Sequence, residues 1–154
     1  IELYRGDAKR IQHFCKVHSY AKLIAETENV DKKCLFIIEA AALTHDIGIH
    51  FCEEKYGNCN GKLQEKEGPA IAEKMLKELG FDQDVSERVQ YLIAHHHTYN
   101  NIDEIDYQIL VEADFLVNIM EDGLSKEAAL KAYESIFKTT CGKMICREMF
   151  DFCS

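Results

Sequence analysis

A run of small and apolar residues that ends in an imidazole beside a carboxylate constrains this fold most strongly. Residues 40 to 50 read Ala-Ala-Ala-Leu-Thr-His45-Asp46-Ile-Gly48-Ile-His50. The apolar part predicts a helix that is covered on most sides. Burying an ionised carboxylate such as Asp46 costs several kcal/mol or more unless a cation or strong donors accompany it. We therefore expect the chain to fold around this helix and to supply Asp46 with a positive partner. The alternative is a helix end at which His45 merely complements the helix dipole.

Composition predicts an all-helical chain. The 154 residues contain one proline and eight glycines, and alanine, leucine, isoleucine, glutamate and lysine are abundant. This length fits one domain with a sizeable core. We expect a single unit over 1–154, with a core at about 7–120 and C-terminal helices at about 124–153. The apolar C-terminal helix would suit a homodimer.

Charge and hydropathy exclude several classes of function. The formal net charge is −9, which argues against general affinity for nucleic-acid polymers because such binding needs clustered Lys and Arg. It leaves small phosphorylated substrates open, since a bound metal inverts the local field. We expect no membrane span and no signal peptide, and therefore a cytoplasmic location. Seven cysteines without a Cys-x-x-Cys pair indicate mostly reduced thiols, with Cys52 and Cys59 the pair closest to oxidation or adventitious metal binding.

Helical periodicity organises the first half of the chain. We predict a helix from about Asp7 to Glu26 and a second opening at Asp31 as N-cap. The first carries His18 on its apolar stripe, whereas His13 lies off that stripe and is expected at the surface. Lys22, one turn beyond His18, would reach an anion or simply extend into solvent.

The second half contributes a polar segment and two more helices with polar groups. Residues 50–63 read as a loop in which His50 would contact substrate, and Gly68-Pro69 reads as a helix start. In the following helix, periodicity turns His96 inward from the triplet 95–97, with His95 beside it. After Asp103, as a predicted N-cap, Asp114 interrupts an apolar stripe, which is uncommon unless the carboxylate is paired or ligates a metal.

These positions point to one shared cation. Separate helices place His18, His45 with Asp46, His96 and Asp114 on their own apolar faces. Each has an ordinary explanation alone, as a satisfied core histidine or a capping group. Together they are explained more simply by a common metal ion.

At these residues the sequence resembles the HD-domain superfamily of metal-dependent phosphohydrolases. The matching positions are His18 in Val-His-Ser-Tyr-Ala-Lys, His45 and Asp46 in Leu-Thr-His-Asp-Ile-Gly, and Asp114 in Glu-Ala-Asp-Phe-Leu-Val. The resemblance spans about residues 7 to 120. It implies a compact all-α bundle with a five-helix core plus C-terminal helices. It also implies hydrolysis of phosphomonoesters or phosphodiesters, commonly of nucleotides.

The resemblance assigns roles to individual residues. His18, His45, Asp46 and Asp114 would bind a divalent metal, with Mn, Fe, Co or Ni preferred and Mg or Zn as alternatives. Asp46 or Asp114 would also orient the attacking water, while His96, with His95 nearby, would contact the phosphate or protonate the leaving oxygen. The candidate substrate contacts are Lys22, His50 and His96.

Two departures from the family pattern favour a single metal. Gln64-Glu65-Lys66-Glu67-Gly68 stands where dinuclear members carry a histidine, and no Gly-Tyr-Pro tripeptide of the cyclic-dinucleotide branch occurs. A second metal held by Glu65 or Glu67 with His95 and His96 stays an alternative. So do a metal-binding sensor domain without turnover and a di-iron oxygenase.

Overall fold

The computed structural model describes residues 1–152, and these residues are all-α without a strand. Cys153, counted above among the thiols, lies outside the described residues. The predicted all-α class is thereby confirmed. After a short 3₁₀ turn at Glu2–Tyr4, the helices are α1 (Ala8–Thr27), α2 (Lys32–Thr44), α3 (Ile49–Tyr56), α4 (Gly61–Glu78), α5 (Gln83–His95), α6 (Ile105–Glu121), α7 (Lys126–Ile136) and α8 (Thr140–Phe150).

Side-chain caps stand at the starts of α1 and α2, where the sequence predicts helices to begin, and also at the start of α7. Asp7 accepts a hydrogen bond from the backbone N–H of Arg10 at the start of α1. Asp31 accepts two such bonds at the start of α2, and Ser125 caps α7 in the same way. Each cap satisfies N–H groups that lack an acceptor within the helix, and it therefore fixes where the helix begins.

The predicted loop over residues 50–63 is wrong for most of its length. Residues Ile49–Tyr56 form α3, which ends at Gly57 in the left-handed conformation. The polar residues of this segment occupy the solvent side of a short helix that buries Cys52. A polar run between two apolar runs is therefore compatible with an amphipathic helix as well as with a loop.

Two further predicted helix starts are also shifted. The helix α4 begins at Gly61 with Asn60 as its capping residue, so Gly68-Pro69 lies inside it. Proline removes one hydrogen bond from the helix interior, but α4 continues through it. Asp103 does not cap α6, whose N-cap position is Glu104; Asp103 instead pairs with Arg88 of α5 at 2.7 Å.

A glycine contact brings the turn after α2 against α4. An added Cβ at Gly48 would stand 3.1 Å from the backbone nitrogen of Gly68 and 3.2 Å from its Cα. The two backbones can approach this closely because neither residue has a side chain. This contact helps to hold the turn at residues 45–48, which presents His45 and Asp46.

The most deeply buried helix is α6 rather than α2. Helices α1, α2 and α6 pack against one another, α5 packs on α2, and α4 packs on α5, while α7 and α8 lie against α6. Helix α2 is less central than predicted, since Phe36 and Leu43 are about half exposed. Burial of α6 on nearly all sides explains why polar groups along it need partners.

One segment passes a length and composition test for a membrane span. Residues Lys32–Tyr56 are apolar enough to cross a bilayer, although half of the most apolar window is buried inside the protein. The segment comprises α2, a turn and α3. Packing of this kind is also found in the central helix of a soluble domain, so the observation is weak evidence for a span.

Candidate metal centre

Five polar residues from four parts of the fold meet in the interior. His13 comes from α1, His45 and Asp46 from the turn after α2, His96 from the residue after α5, and Asp114 from α6. The side chains of His45 and His96 are fully buried, and those of the other three are at most 14% exposed. The packing of the helices around α6 therefore brings these five polar groups together.

Four of these residues have ligand atoms at metal-like separations. His13 Nε2 lies 3.2 Å from His45 Nε2. Asp114 Oδ1 lies 3.3 and 3.5 Å from these two nitrogens, and Asp46 Oδ2 lies 3.8 and 3.7 Å from them. Neighbouring ligands on a metal with bonds of ~2.1 Å are separated by about 3.0 Å in an octahedron and about 3.4 Å in a tetrahedron. His13, His45 and Asp46 therefore form a donor group whose spacing suits a small divalent ion, and Asp114 Oδ1 lies beside both imidazoles as a candidate fourth ligand.

The second nitrogen of each buried imidazole is already engaged. His45 and His96 donate from Nδ1 to backbone carbonyls three residues earlier, at 3.0 and 2.8 Å. His13 donates from Nδ1 to Glu121 Oε2 at 3.0 Å. The neutral tautomers that satisfy these bonds leave both facing Nε2 atoms of His13 and His45 with lone pairs. Two lone pairs at this distance repel each other unless a cation or a proton lies between them, so the donor set fits a metal.

The electrostatics of the cluster favour positive charge. Burial alone would lower the pKa of His45, but the carboxylates of Asp46 and Asp114 outweigh it and raise that pKa to about 9. Burial would likewise raise the pKa of Asp114, yet the neighbouring imidazoles of His13, His45 and His96 hold it well below its ordinary value. Both carboxylates therefore stay ionised, which is the state that a cation requires.

The structure corrects the prediction that His18 is a ligand. His18 Nε2 lies 3.0 Å from Glu39 Oε1, on the side of α1 that faces α2. Five residues separate His13 from His18, which places them ~140° apart around the helix and ~7.5 Å apart along it. His13 is 7% exposed instead of lying at the surface, and it occupies the place predicted for His18. The early histidine of the cluster is therefore His13.

His13 belongs to the row of residues of α1 that is buried in the structure. The buried residues are His13, Phe14, Val17, Ala21, Ile24 and Ala25. A spacing of four and then seven residues links His13 to Val17 and Ile24, both of which are fully buried. When Val17 and Ile24 are included, the apolar face of α1 is centred closer to α6, and it then contains His13.

The candidate substrate residues are only partly brought together. His96 joins the cluster, with Nε2 3.1 Å from Asp46 Oδ1. Lys22 pairs with Glu39 at 2.9 Å, beside His18. His50 contacts Asp7 at 3.1 Å and stacks on Tyr4, on the outer side of the turn. The predicted substrate roles of Lys22 and His50 at this centre are therefore not supported by their positions.

His97, not His95, is the second histidine of the triplet near the centre. His95 donates to the Tyr91 carbonyl at 2.7 Å and stacks on the Tyr91 ring. His97 Nε2 lies 4.0 Å from Asp46 Oδ1, and burial together with the charge of His96 lowers the pKa of His97 to about 4. The chain turns after α5, so helical periodicity no longer orders these side chains. The position of His95 therefore does not support the catalytic role predicted for it.

The donors predicted for a second metal are used elsewhere. Glu65 accepts hydrogen bonds from the His97 backbone and from Thr98, and Glu67 pairs with Tyr56 and Lys55. A second possible donor group does exist, formed by Asp46, His96 and His97. Gln64, which stands in the segment without a histidine, lies 2.9 Å from His97 Nε2. Asp46 thus presents one oxygen to each of two donor groups.

The comparisons with known proteins agree with this geometry. The HD domain family model matches residues 10–135, which is most of the chain and includes every residue of the cluster. Searches of curated proteins and of solved structures gave no significant match. The match and the His-Asp centre within it show that the chain belongs to the HD-domain family.

Proposed function

We propose that this protein is a metal-dependent phosphohydrolase acting on a small phosphate ester, with nucleotides as the first substrates to test. The observation that carries the proposal is the pair of facing Nε2 atoms, 3.2 Å apart and flanked by Asp46 and Asp114. Membership of the HD-domain family, in which such hydrolases are common, supports it.

The donor set favours certain metals. Two imidazoles and two carboxylates suit Mn²⁺, Fe²⁺, Co²⁺ or Ni²⁺, whereas Mg²⁺ prefers oxygen ligands alone and Zn²⁺ accepts the same donors in a smaller coordination sphere. A divalent ion held by His13, His45, Asp46 and Asp114 would lower the pKa of water and neutralise phosphoryl charge. Each assay of this protein should therefore be carried out with several different divalent metals.

His96 and Asp46 would handle protons beside the metal. Since Nδ1 of His96 already donates to a carbonyl, a hydrogen bond from its Nε2 to Asp46 requires a proton on both nitrogens. That form of His96 can contact a phosphoryl oxygen or donate a proton to the leaving oxygen. Asp46 reaches both His96 and the metal ligands, and would orient the attacking water.

A cavity next to His97 offers room for the part of the substrate that is not transferred. Its volume is about 430 Å³, and it lies between the start of α4, the α5–α6 connection and the end of α7. Its lining includes Lys62, His97, Thr98, Tyr99, Asn100 and Ser135. Lys62 offers positive charge, and the Tyr99 ring, half exposed and packed edge-on against Phe115, offers a flat surface. These groups suit a phosphorylated compound with a planar ring.

Lys62 provides a test of this cavity. We expect Lys62→Met to raise KM by about tenfold with little change in kcat, because one charge-assisted hydrogen bond contributes about 1.5 kcal/mol equally in the ground and transition states. Lys66→Met is the matched control, since Lys66 lies on the same helix and pairs with Glu67. Steady-state kinetics on the best substrate measure the effect. Equal KM values for the two variants would contradict the assignment.

The proposed activity is tested with a panel of substrates and metals. Metal-free protein is assayed with nucleoside mono-, di- and triphosphates, cyclic nucleotides and simple sugar phosphates, each with Mn²⁺, Fe²⁺, Co²⁺, Ni²⁺, Mg²⁺ or Zn²⁺. We expect phosphate release or ring opening that depends on added metal and is lost with a chelator. Metal binding without turnover across the panel would instead support a sensor domain.

The second donor group is compatible with one other activity, that of a di-iron oxygenase. Asp46, His96 and His97 could hold a second iron, as the di-iron oxygenase reading requires. Two iron atoms per chain together with oxygen consumption would favour the oxygenase. One metal per chain and no oxygen consumption would favour the hydrolase.

The predictions of partners and location accompany this proposal. A small phosphorylated substrate is the proposed partner, while nucleic-acid polymers and membranes are not expected. A homodimer would use α8, on which Met144 and Met149 are 49% and 41% exposed. A cytoplasmic location is the setting in which reduced cysteines and such substrates are found.

A further inference from the structure

The three buried histidines of the centre differ in what holds their Nδ1 atoms. His45 and His96 each bond to a carbonyl of their own chain segment. His13 instead bonds to a carboxylate, Glu121 Oε2, which comes from a different helix at 3.0 Å. A carboxylate acceptor makes the opposite ring nitrogen a stronger donor to a metal than a carbonyl does. His13 is therefore the imidazole whose environment most strengthens metal ligation.

Glu121 is itself fixed in place and charged. Lys16 Nζ lies 3.0 Å from Glu121 Oε1, so the two oxygens of this carboxylate have different partners. The Glu121 side chain is only 16% exposed. A charged carboxylate in this position has little freedom to turn away from His13.

Helix α6 links Glu121 to the metal ligands directly. Glu121 is the last residue of α6 and follows Asp114 by seven residues, which is close to two full turns. Asp114 and Glu121 therefore share one face of α6, one beside Nε2 of His13 and the other beside Nδ1. The same helix contacts both ring nitrogens and determines how the ring is oriented.

We propose that Glu121 is a positioning residue for the metal centre: it accepts the Nδ1 proton of His13, turns His13 Nε2 toward the ion and increases its basicity, while Lys16 holds the carboxylate. This inference rests on the proposed metal site. Outer carboxylates of this kind typically contribute 10- to 100-fold to metal affinity. Glu121 thus contributes to metal binding through His13, although it contacts neither the metal nor the substrate.

A second group of the same composition, between α1 and α2, provides a matched control. His18, Glu39 and Lys22 form a second histidine–glutamate–lysine group, with distances of 3.0 and 2.9 Å to Glu39 Oε1. It differs from the first group because it lies outside the cluster of ligand atoms. Substitution at Glu39 therefore removes a similar set of contacts without altering the orientation of His13.

The test compares Co²⁺ binding to metal-free wild-type protein, Glu121→Gln, Glu121→Ala and Glu39→Gln. Titration followed by the visible absorption of Co²⁺ gives both a Kd and a coordination-sensitive spectrum. We expect Glu121→Ala to weaken binding by about 10- to 100-fold and to alter the spectrum, with a smaller loss for Glu121→Gln, which keeps a neutral acceptor for Nδ1. Glu39→Gln should match the wild type in both readouts.

The possible outcomes separate this inference from the proposed metal site. Circular dichroism of the metal-free proteins establishes whether each variant is folded. If Glu121→Ala does not fold, the isosteric Glu121→Gln is used for the comparison. An unchanged Kd and spectrum in a folded Glu121 variant would overturn the positioning role and leave the metal site intact. Equal losses in Glu121→Gln and Glu39→Gln would also overturn it. Failure of the wild type to bind Co²⁺ would overturn the metal site itself.

Discussion

Replacing Asp46 by alanine is expected to abolish both metal binding and turnover. Among the described residues, Asp46 is the side chain shared by both donor groups, through Oδ2 to His13 and His45 and through Oδ1 to His96. Its loss removes an anionic ligand and leaves the imidazoles without a common counter-charge. We expect metal content to fall from about one ion per chain to near zero, and turnover to fall by at least about 10³-fold. Elemental analysis and the assay of the best substrate measure the two effects.

The turn that carries Asp46 should survive this substitution. The Tyr4 hydroxyl donates to the Asp46 backbone carbonyl at 2.8 Å, a contact that does not involve the replaced side chain. Asp46→Asn provides a variant of the same size, and Glu127→Gln, on the exposed side of α7, provides a carboxylate control. Full metal content and turnover in Asp46→Ala would show that the roles assigned at this centre are wrong.

Replacing Glu112 by alanine is expected to cause the largest loss of stability. Glu112 is 0% exposed although periodicity suggests a solvent-facing position. Its Oε1 accepts from the backbone N–H groups of Lys138 and Thr139 at 2.6 and 2.9 Å and from the Gln108 amide at 2.7 Å. Its Oε2 accepts from the Thr139 hydroxyl at 2.5 Å. Glu112 thus anchors the start of α8 to α6.

Removal of this carboxylate leaves several buried donors without an acceptor. A buried donor that loses its acceptor costs about 1–3 kcal/mol, so the loss of several should lower the stability by about 3–5 kcal/mol, or roughly 10 °C in Tm for a domain of this size. Thermal unfolding of metal-free protein measures the loss, with Glu127→Gln as the control. An added Cβ at Gly142 would stand 1.9 Å from Glu112 Oε2, so Gly142→Ala should disturb the same contact. A Tm unchanged in Glu112→Ala would contradict this anchoring role.

The sequence predicts most of this fold because its local signals agree. Caps at Asp7, Asp31 and Ser125 and the periodicity of the apolar residues place helices at the right positions. The signals fail where tertiary contacts decide the outcome. Pro69 lies inside a helix, and the approach of Gly48 to Gly68 depends on packing that no local pattern contains. The burial of Glu112 likewise depends on partners that lie 26 and 27 residues away along the chain.

The site was predictable in its central part and less so at its edges. His45, Asp46, His96 and Asp114 are recognisable because each interrupts an apolar stripe or follows one. His13 and His18 could not be separated without knowing where the buried face of α1 is centred, since they lie on opposite edges of that face. Glu121 and His97 act through contacts across the fold, and sequence spacing does not reveal such contacts.

The most direct test of the central claim compares His13→Ala with His18→Ala. The claim is that His13, His45, Asp46 and Asp114 hold one divalent ion, with His18 outside the site. Each purified variant is loaded with Co²⁺ or Mn²⁺ and dialysed, and its metal content per chain is then measured. We predict that His13→Ala loses the metal while His18→Ala retains it at the wild-type level. Retention of the metal by His13→Ala, or its loss from a folded His18→Ala, would contradict the account.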